Sequence, residues 1–309
     1  MELQITEIIT QPVLLDPLAI IPKKIFIVPY RNRVQHKFFF SKYMTFILED
    51  EQPGDYEIYF SHQADNRPFN RGATKNIGFL AMKNKYPDHY LDIDFIFNDV
   101  DTMPFNKIFN YSTTNGVVQH LYGFRFALGG IVIFKGSDFE KINGYPNYWG
   151  WGMEDNVLQH RCLKNGVVID RTQFYSLGDQ HILQLFEGIK RIITQDSKTH
   201  AMQDNGVDGV QTIFGLMYEI SGESYNSDDN VNVVDNIYIQ IINITSFQCL
   251  TNPSNHHFES YDLRDKRELQ QPIRMNLMSP NEPSKQMNQI TTKRQSATSK
   301  PFKIGMGLF

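Results

Sequence analysis

The chain has 309 residues, of which 41% are hydrophobic and 21% charged, with 30 Lys+Arg against 34 Asp+Glu. These proportions belong to a folded globular protein and exclude a wholly disordered chain, and the net charge of −4 gives no electrostatic footprint for nucleic acid. Cys162 and Cys249 are the only cysteines, which excludes a disulfide framework and a cysteine zinc site and makes an intracellular, reducing compartment the expectation.

No run of apolar residues approaches the roughly 18 needed to cross a bilayer. The first ten residues carry Glu2 and Glu7 and no basic stretch, so no signal peptide, no membrane span and a soluble protein are expected.

Residues 1–23 hold Pro12, Pro17 and Pro22 without a sustained period and read as a lead-in. The run 24–29 (Lys-Ile-Phe-Ile-Val-Pro) has the continuous apolar character of a strand buried on both faces. Phe39, Tyr43, Phe46 and Ile47, spaced i, i+4, i+7 and i+8, predict the core face of a helix. A turn at Pro53-Gly54-Asp55 precedes a second strand over 56–60. A helix over 70–83 follows, with Asn70 as its N-cap. Residues 94–98 form a third strand. This alternation predicts an α/β domain with a mostly parallel central sheet and helices on both faces, whose ligands bind beyond the carboxyl ends of the strands.

Further on, 130–134 predicts a strand, and Ser137 to Glu140 has capping-box spacing for a short helix ending near Asn143-Gly144. A helix over 154–164 stops at Asn165-Gly166, a strand follows at 167–169, and a late one at 237–244. From about Thr251 the composition turns polar. Residues 261–309 contain nine Lys/Arg and four Asp/Glu. The organisation expected is therefore a lead-in (1–23), one domain (24–250) and a disordered tail (251–309).

Two acidic pairs have D-x-D spacing. Asp92 and Asp94 lie at the start of the third strand, whereas Asp99 and Asp101 lie just past its end, where carboxylate oxygens suit Mg²⁺ or Mn²⁺ against a diphosphate. Both tryptophans sit in the block Trp149-Gly150-Trp151-Gly152-Met153-Glu154-Asp155. Aromatic faces beside acids are a usual way to hold a sugar ring, and the glycines leave the backbone free to move as a lid. Arg31 and Arg33 after the first strand, and Arg71 beside Phe69, suit phosphate recognition.

Taken in order, Ile27 to Arg33, Phe69-Asn70-Arg71 with Asn76-Ile77-Gly78-Phe79, Asp99-Val100-Asp101 with Pro104, Gly129-Gly130, and Asn143 to Gly152 with Glu154-Asp155 resemble the β-1,4-galactosyltransferase family, including its xylosylprotein galactosyltransferase branch, over residues 24–245. The resemblance implies a GT-A fold and an inverting, metal-dependent hexosyltransferase that moves galactose or N-acetylgalactosamine from a UDP-sugar to a glycan or glycoprotein acceptor, with Mn²⁺ or Mg²⁺ as cofactor. It implies that Pro29, Arg31, Arg33, Phe69, Arg71, Asp99 and Gly130 line the UDP-sugar site. Trp151 would be the mobile lid, Glu154 and Asp155 would bind the acceptor, and Asp155 would be the general base. Where the family typically completes its metal site with Met-x-x-His or His-x-His, this chain reads Leu177-Gly178-Asp179-Gln180-His181. Asp179 and His181, i and i+2 on a strand, would join Asp101 on the metal. A small Ala127 before Leu128-Gly129 predicts room for an N-acetyl group. Met153 and Asn156 replace residues that are often glycine and a third acid. The competing reading is a UDP-sugar-binding protein that has lost turnover.

Overall fold

In the computed structural model the described residues are 20–52, 54–185, 190–194, 197–222 and 239–262. Their elements, in chain order, are β1 (Lys24–Tyr30), α1 (Val34–Ile47), β2 (Tyr56–Gln63), α2 (Arg71–Lys85), β3 (Asp94–Asn98), β4 (Thr102–Pro104), β5 (Val117–Gly123), β6 (Ile131–Lys135), α3 (Gly136–Lys141), α4 (Glu154–Lys164), β7 (Val168–Asp170), β8 (Tyr175–Ser176), β9 (Ile182–Gln184), β10 (Lys190–Thr194), α5 (Ser197–Met202), β11 (Phe214–Gly222), β12 (Ile239–Gln248) and β13 (Phe258–Asp262).

The main sheet runs β11-β12-β2-β1-β3-β6-β5-β7, with β8 also paired to β5. Strands β12, β2, β1 and β3 are mutually parallel. Beyond β3 the sheet turns antiparallel, because β6 pairs antiparallel with both β3 and β5. The chain returns from β5 to β6 through a loop rather than a helix, so no parallel crossover is possible there. This change of direction builds the site. The amino end of β6 lies beside the carboxyl end of β3, with Asn98 opposite Ile131.

The alternation of β1 explains the two cores. Ile25 and Ile27 pack with α2, α3 and α4 through Ala73, Ile77, Phe139 and Leu158. Phe26 and Val28 face the other way, onto Phe40, Met44 and Ile47 of α1. Successive strand side chains point to opposite faces, so a strand covered on both sides is apolar throughout.

Helix α2 is held at its start by Asn70, whose Oδ1 accepts from the Ala73 N–H at 2.8 Å, and it ends with Lys83 and Lys85 in its last turn, favourable to the dipole. It is buried through most of its length, which requires small residues where other backbone comes close. A Cβ on Gly72 would sit 2.0 Å from the Pro146 carbonyl oxygen.

The structure corrects three expectations of local structure. Helix α1 forms, but its core face carries His36, Phe40, Ser41, Met44 and Ile47, while Phe39 and Phe46 are exposed. Three consecutive phenylalanines leave two apolar stripes, and spacing alone cannot choose between them. Ser137 lies inside α3 and caps nothing, because Gly136 already begins the helix. Residues 253–262 contain a 3-10 turn and β13, which pairs antiparallel with β10, so the polar composition from Thr251 does not mark where ordered structure stops. Residues 1–19, 237–238 and 263–309, on which other expectations fall, lie outside the described residues. No helix among the described residues is long and apolar enough to cross a membrane.

Gly72→Ala is expected to destabilise the protein by about 1–3 kcal/mol, because a helix and a backbone carbonyl would have to separate. Urea unfolding of the two proteins measures it.

Candidate active site

Because β1 and β3 are parallel, Arg31, Arg33, Asp99 and Asp101 all follow strands at one edge of the sheet. The amide of Asp99 donates to the Gly130 carbonyl at 3.0 Å, and the amide of Leu128 donates to the Asp155 carbonyl at 2.9 Å. These two bonds fasten the start of α4 and the exit of β3 to the same segment, 128–130. Gly130 has φ +76°, the left-handed region. A Cβ on Gly129 would lie 2.4 Å from Asp155 Oδ2, so only glycine admits that carboxylate here.

Arg71, the first residue of α2, occupies the centre. Its Nη2 donates to Asp99 Oδ1 and Oδ2 at 2.5 and 2.6 Å, and its Nη1 donates to Glu154 Oε1 at 2.7 Å and Asp155 Oδ2 at 2.8 Å. The resemblance implied that Arg71 approaches the diphosphate. In this structure its guanidinium is engaged by three carboxylates instead, which hold it protonated far above its ordinary range against the opposing effect of burial. One turn later, Lys75 places Nζ 3.4 Å from Asp155 Oδ1 and 4.0 Å from Asp99 Oδ1.

The two acids at the start of α4 are pushed in opposite directions. Burial and the Asp155 charge raise Glu154. Burial also acts to raise Asp155, but Arg71 and Lys75 outweigh it and hold that carboxyl below its usual value. Asp155 is therefore the ionised, more accessible member, and Glu154 the buried one, at 5% side-chain exposure against 21%. Pairs of carboxyls separated in this way divide acid and base roles.

Asp101 is raised, first by burial and then by Asp99, and is only partly relieved by Arg33 Nη1 at 3.4 Å. Arg191 on β10 also bears on Asp101 and Arg33. Nothing in the sequence distinguished it from an ordinary surface cation in the Lys190-Arg191 run. Arg31 is used differently from expectation, as a brace on the loop after β2, donating to the carbonyls of Asp65 (2.7 Å) and Arg67. Pro29 is buried opposite Ser61, and the Phe69 carbonyl accepts from Gly150 N at 3.0 Å.

The tryptophans divide. Trp149 is core, stacked on Phe247 at 5.5 Å with Arg67 against its face. Trp151 is 47% exposed, and its amide donates to the Ile192 carbonyl at 2.7 Å. Met153 has φ +72° at the N-cap of α4, a strained position for a residue other than glycine and one typical of functional sites.

Asp101, Asp179 and His181 are not gathered. Among the described residues no group of three His, Cys, Asp or Glu side chains is close enough to hold a metal ion. Asp179 and His181 lie in a turn before β9 rather than on a strand. Asp179 Oδ1 accepts from both the His181 amide (2.9 Å) and His181 Nδ1 (2.8 Å). The antiparallel β4–β9 ladder carries on to set Asp101 beside Leu185 and His181 beside Phe105, separating the two.

The family models complete the identification. Residues 17–114 match the N-terminal region of glycosyl transferase group 7, and residues 115–184 match the N-terminal domain of galactosyltransferase. The chain belongs to the β-1,4-galactosyltransferase family. It is 34% identical to β-1,4-galactosyltransferase 1 of Bos taurus over 164 residues, 50% of this chain and 40% of that one. It is 29% identical to the xylosylprotein 4-beta-galactosyltransferase of Caenorhabditis elegans over 175 residues, 53% of this chain and 58% of that one. The matches thus span less than two thirds of these relatives' length. A mutant of Drosophila β-1,4-galactosyltransferase 7, solved with manganese, UDP-Gal and xylobiose, superposes with a TM-score of 0.57 at 19% identity, covering 76% of this chain and 97% of that one. The fold is therefore the GT-A arrangement of this family.

His120 supports the same segment from below. Arg171 Nε donates to His120 Nδ1 at 2.9 Å, so the ring hydrogen sits on Nε2, which faces the Tyr122 and Gly129 carbonyls at 3.1 and 3.2 Å. Burial and the Arg171 charge push its pKa down to about 4 from 6.5. The unfolded chain takes up this proton as pH falls through 6.5 and the folded chain only near 4, so stability is lost across that window as pH falls. His120→Gln is expected to remove about 3 kcal/mol of that pH dependence, read from urea unfolding as a function of pH. Arg71→Met, which leaves three carboxylates with Lys75 alone, is expected to cost about 3–5 kcal/mol.

Proposed function

We propose that this chain is an inverting, metal-dependent hexosyltransferase that moves galactose from UDP-galactose to a sugar hydroxyl of a glycan or glycoprotein with β linkage. The observation that carries the reading is an ionised, partly accessible Asp155 joined through Arg71 to Asp99 at the strand edge. The manganese, UDP-Gal and xylobiose bound by the Drosophila relative point to the same chemistry.

Asp155 takes the acceptor's hydroxyl proton as that oxygen attacks the anomeric carbon. Glu154, raised by burial, accepts from an acceptor hydroxyl. Trp151, exposed and three residues before Glu154 in the chain, presents an apolar face to the sugar. Arg33 and Arg191 supply positive charge to the nucleotide side. Asp99, Gly130, Pro29 and Phe69 border the donor, and Ala127 leaves space at its C2, so UDP-N-acetylgalactosamine is a second donor.

The donor chemistry around Asp101 suits Mn²⁺: a carboxylate of hard oxygens whose charge is under-compensated gains from a divalent cation. Asp101 would hold it, while the β4–β9 ladder keeps His181, and Asp179 with it, away from that carboxylate. Bound there, the cation would neutralise charge on departing UDP.

Asp155→Asn is expected to lower kcat by roughly 10²–10⁴-fold with UDP binding retained, measured as UDP release from UDP-galactose with Mn²⁺ and a sugar acceptor. Unchanged turnover would remove Asp155 as the base, and no turnover in the parent protein would favour a binding protein. Asp101→Ala is expected to abolish the Mn²⁺ dependence of UDP binding and His181→Ala to leave it unchanged. Full Mn²⁺ dependence in Asp101→Ala would refute the metal assignment.

A further inference from the structure

We propose that Lys75 is a positioning residue for this reaction: its buried ammonium holds Asp155 aligned as a carboxylate, alongside Arg71. The proposal rests on the reading of Asp155 as the base and adds to it a residue that no motif identifies.

Lys75 is fully buried on α2. A lysine there is costly unless its charge is used, because nothing but protein surrounds it. Its Nζ points at Asp155 Oδ1 (3.4 Å), with Asp99 Oδ1 at 4.0 Å and the Tyr145 ring centroid at 4.3 Å. Arg71 takes the other oxygen, Oδ2. The two cations lie four residues apart on one helix, so they stand on the same face, and each holds one oxygen of the same carboxylate. Asp155 is thereby fixed in rotation as well as in charge.

The neighbouring acid provides a comparison within the molecule. Glu154 and Asp155 both accept from Arg71 Nη1, at 2.7 and 2.8 Å, but only Asp155 also pairs with Lys75. Glu154 is raised and Asp155 lowered. Three carboxylates converge on Arg71, and one guanidinium balances one of them. Lys75 supplies the second positive charge. The groups facing Asp155 are Arg71 and Lys75 from α2, Glu154 from α4, Asp99 beyond β3, Tyr145 before α4, and His120 from β5. Of these only Arg71 and Lys75 favour its charged form, since His120 is neutral down to about pH 4. Lys75 itself is lowered by burial and by Arg71, so it loses its proton at lower pH than an exposed lysine.

The test uses the full chain with saturating Mn²⁺. The kcat and KM of wild type, Lys75→Met and Lys75→Arg are measured across pH, and the Asp155 carboxyl is titrated by ¹³C NMR, its signal identified by its loss in Asp155→Asn. Lys75→Met is expected to move the acid limb of kcat to higher pH, with a loss of roughly tenfold or more on the acid side and an unchanged donor KM. Lys75→Arg is expected to restore the acid limb and extend the alkaline limb. A folded Lys75→Met protein whose acid limb and Asp155 signal coincide with wild type would overturn the proposal. If Lys75→Met does not fold, Lys75→Gln takes its place: an Asp155 signal that coincides with wild type overturns the proposal, and one moved to higher pH supports it. Absence of transfer in wild type would sink the functional reading alone, because the carboxyl titration still reports on Lys75.

Discussion

The site depends on one guanidinium shared among three carboxylates. Arg71 joins Asp99, which ends a strand, to Glu154 and Asp155, which begin a helix, and so holds together two parts of the chain more than fifty residues apart in sequence. An exposed pair of this kind contributes at most about 1 kcal/mol. This one is largely buried, so breaking it strands charge and costs several times more. The same burial makes the acids useful. With water excluded, small differences in contacts separate Glu154 from Asp155, which is what the proposed division of roles between two adjacent carboxyls requires.

Topology brings these groups within reach. Parallel β1 and β3 put the basic segment 31–33 and the acidic segment 99–101 at one edge. The antiparallel turn of the sheet at β6 then delivers Gly129 and Gly130 to that edge, where the missing side chain of Gly129 makes room for Asp155. Helix α2 enters from below, with Asn70 capping its first turn so that Arg71 and Lys75 point upward together. A fully parallel sheet would send the start of β6 to the opposite edge and leave Asp99 without this neighbour.

Much of this was legible in the sequence. The uninterrupted apolar runs of β1 and β3, the Asn70 cap, the glycine stop of α4 and the position of Asp99–Asp101 past a strand end are local signals, and the structure follows them. The block from Trp149 to Asp155 identified the family by order and residue type. Signals that depend on packing were not legible. Phe40 rather than Phe39 faces the core because of what α1 rests on. Trp149 and Trp151 look equivalent in sequence, yet one is core and the other exposed. Lys75 and Arg191 read as ordinary charges until the fold places them near carboxylates. Asp179 and His181 fit an alternating pattern, but the turn that closes on them is set by the β4–β9 ladder. The strands β10 and β13 pair over a long separation, and β13 lies where composition alone suggested a tail.

Asp99 and Asp155 share one cation, Arg71. A double-mutant cycle of Asp99→Asn and Asp155→Asn, read by urea unfolding, measures this directly. The two effects are expected to depart from additivity by on the order of 1 kcal/mol, because each acid alters the charge that Arg71 and Lys75 offer to the other. Effects that simply add would place the two carboxylates in separate surroundings and contradict that sharing.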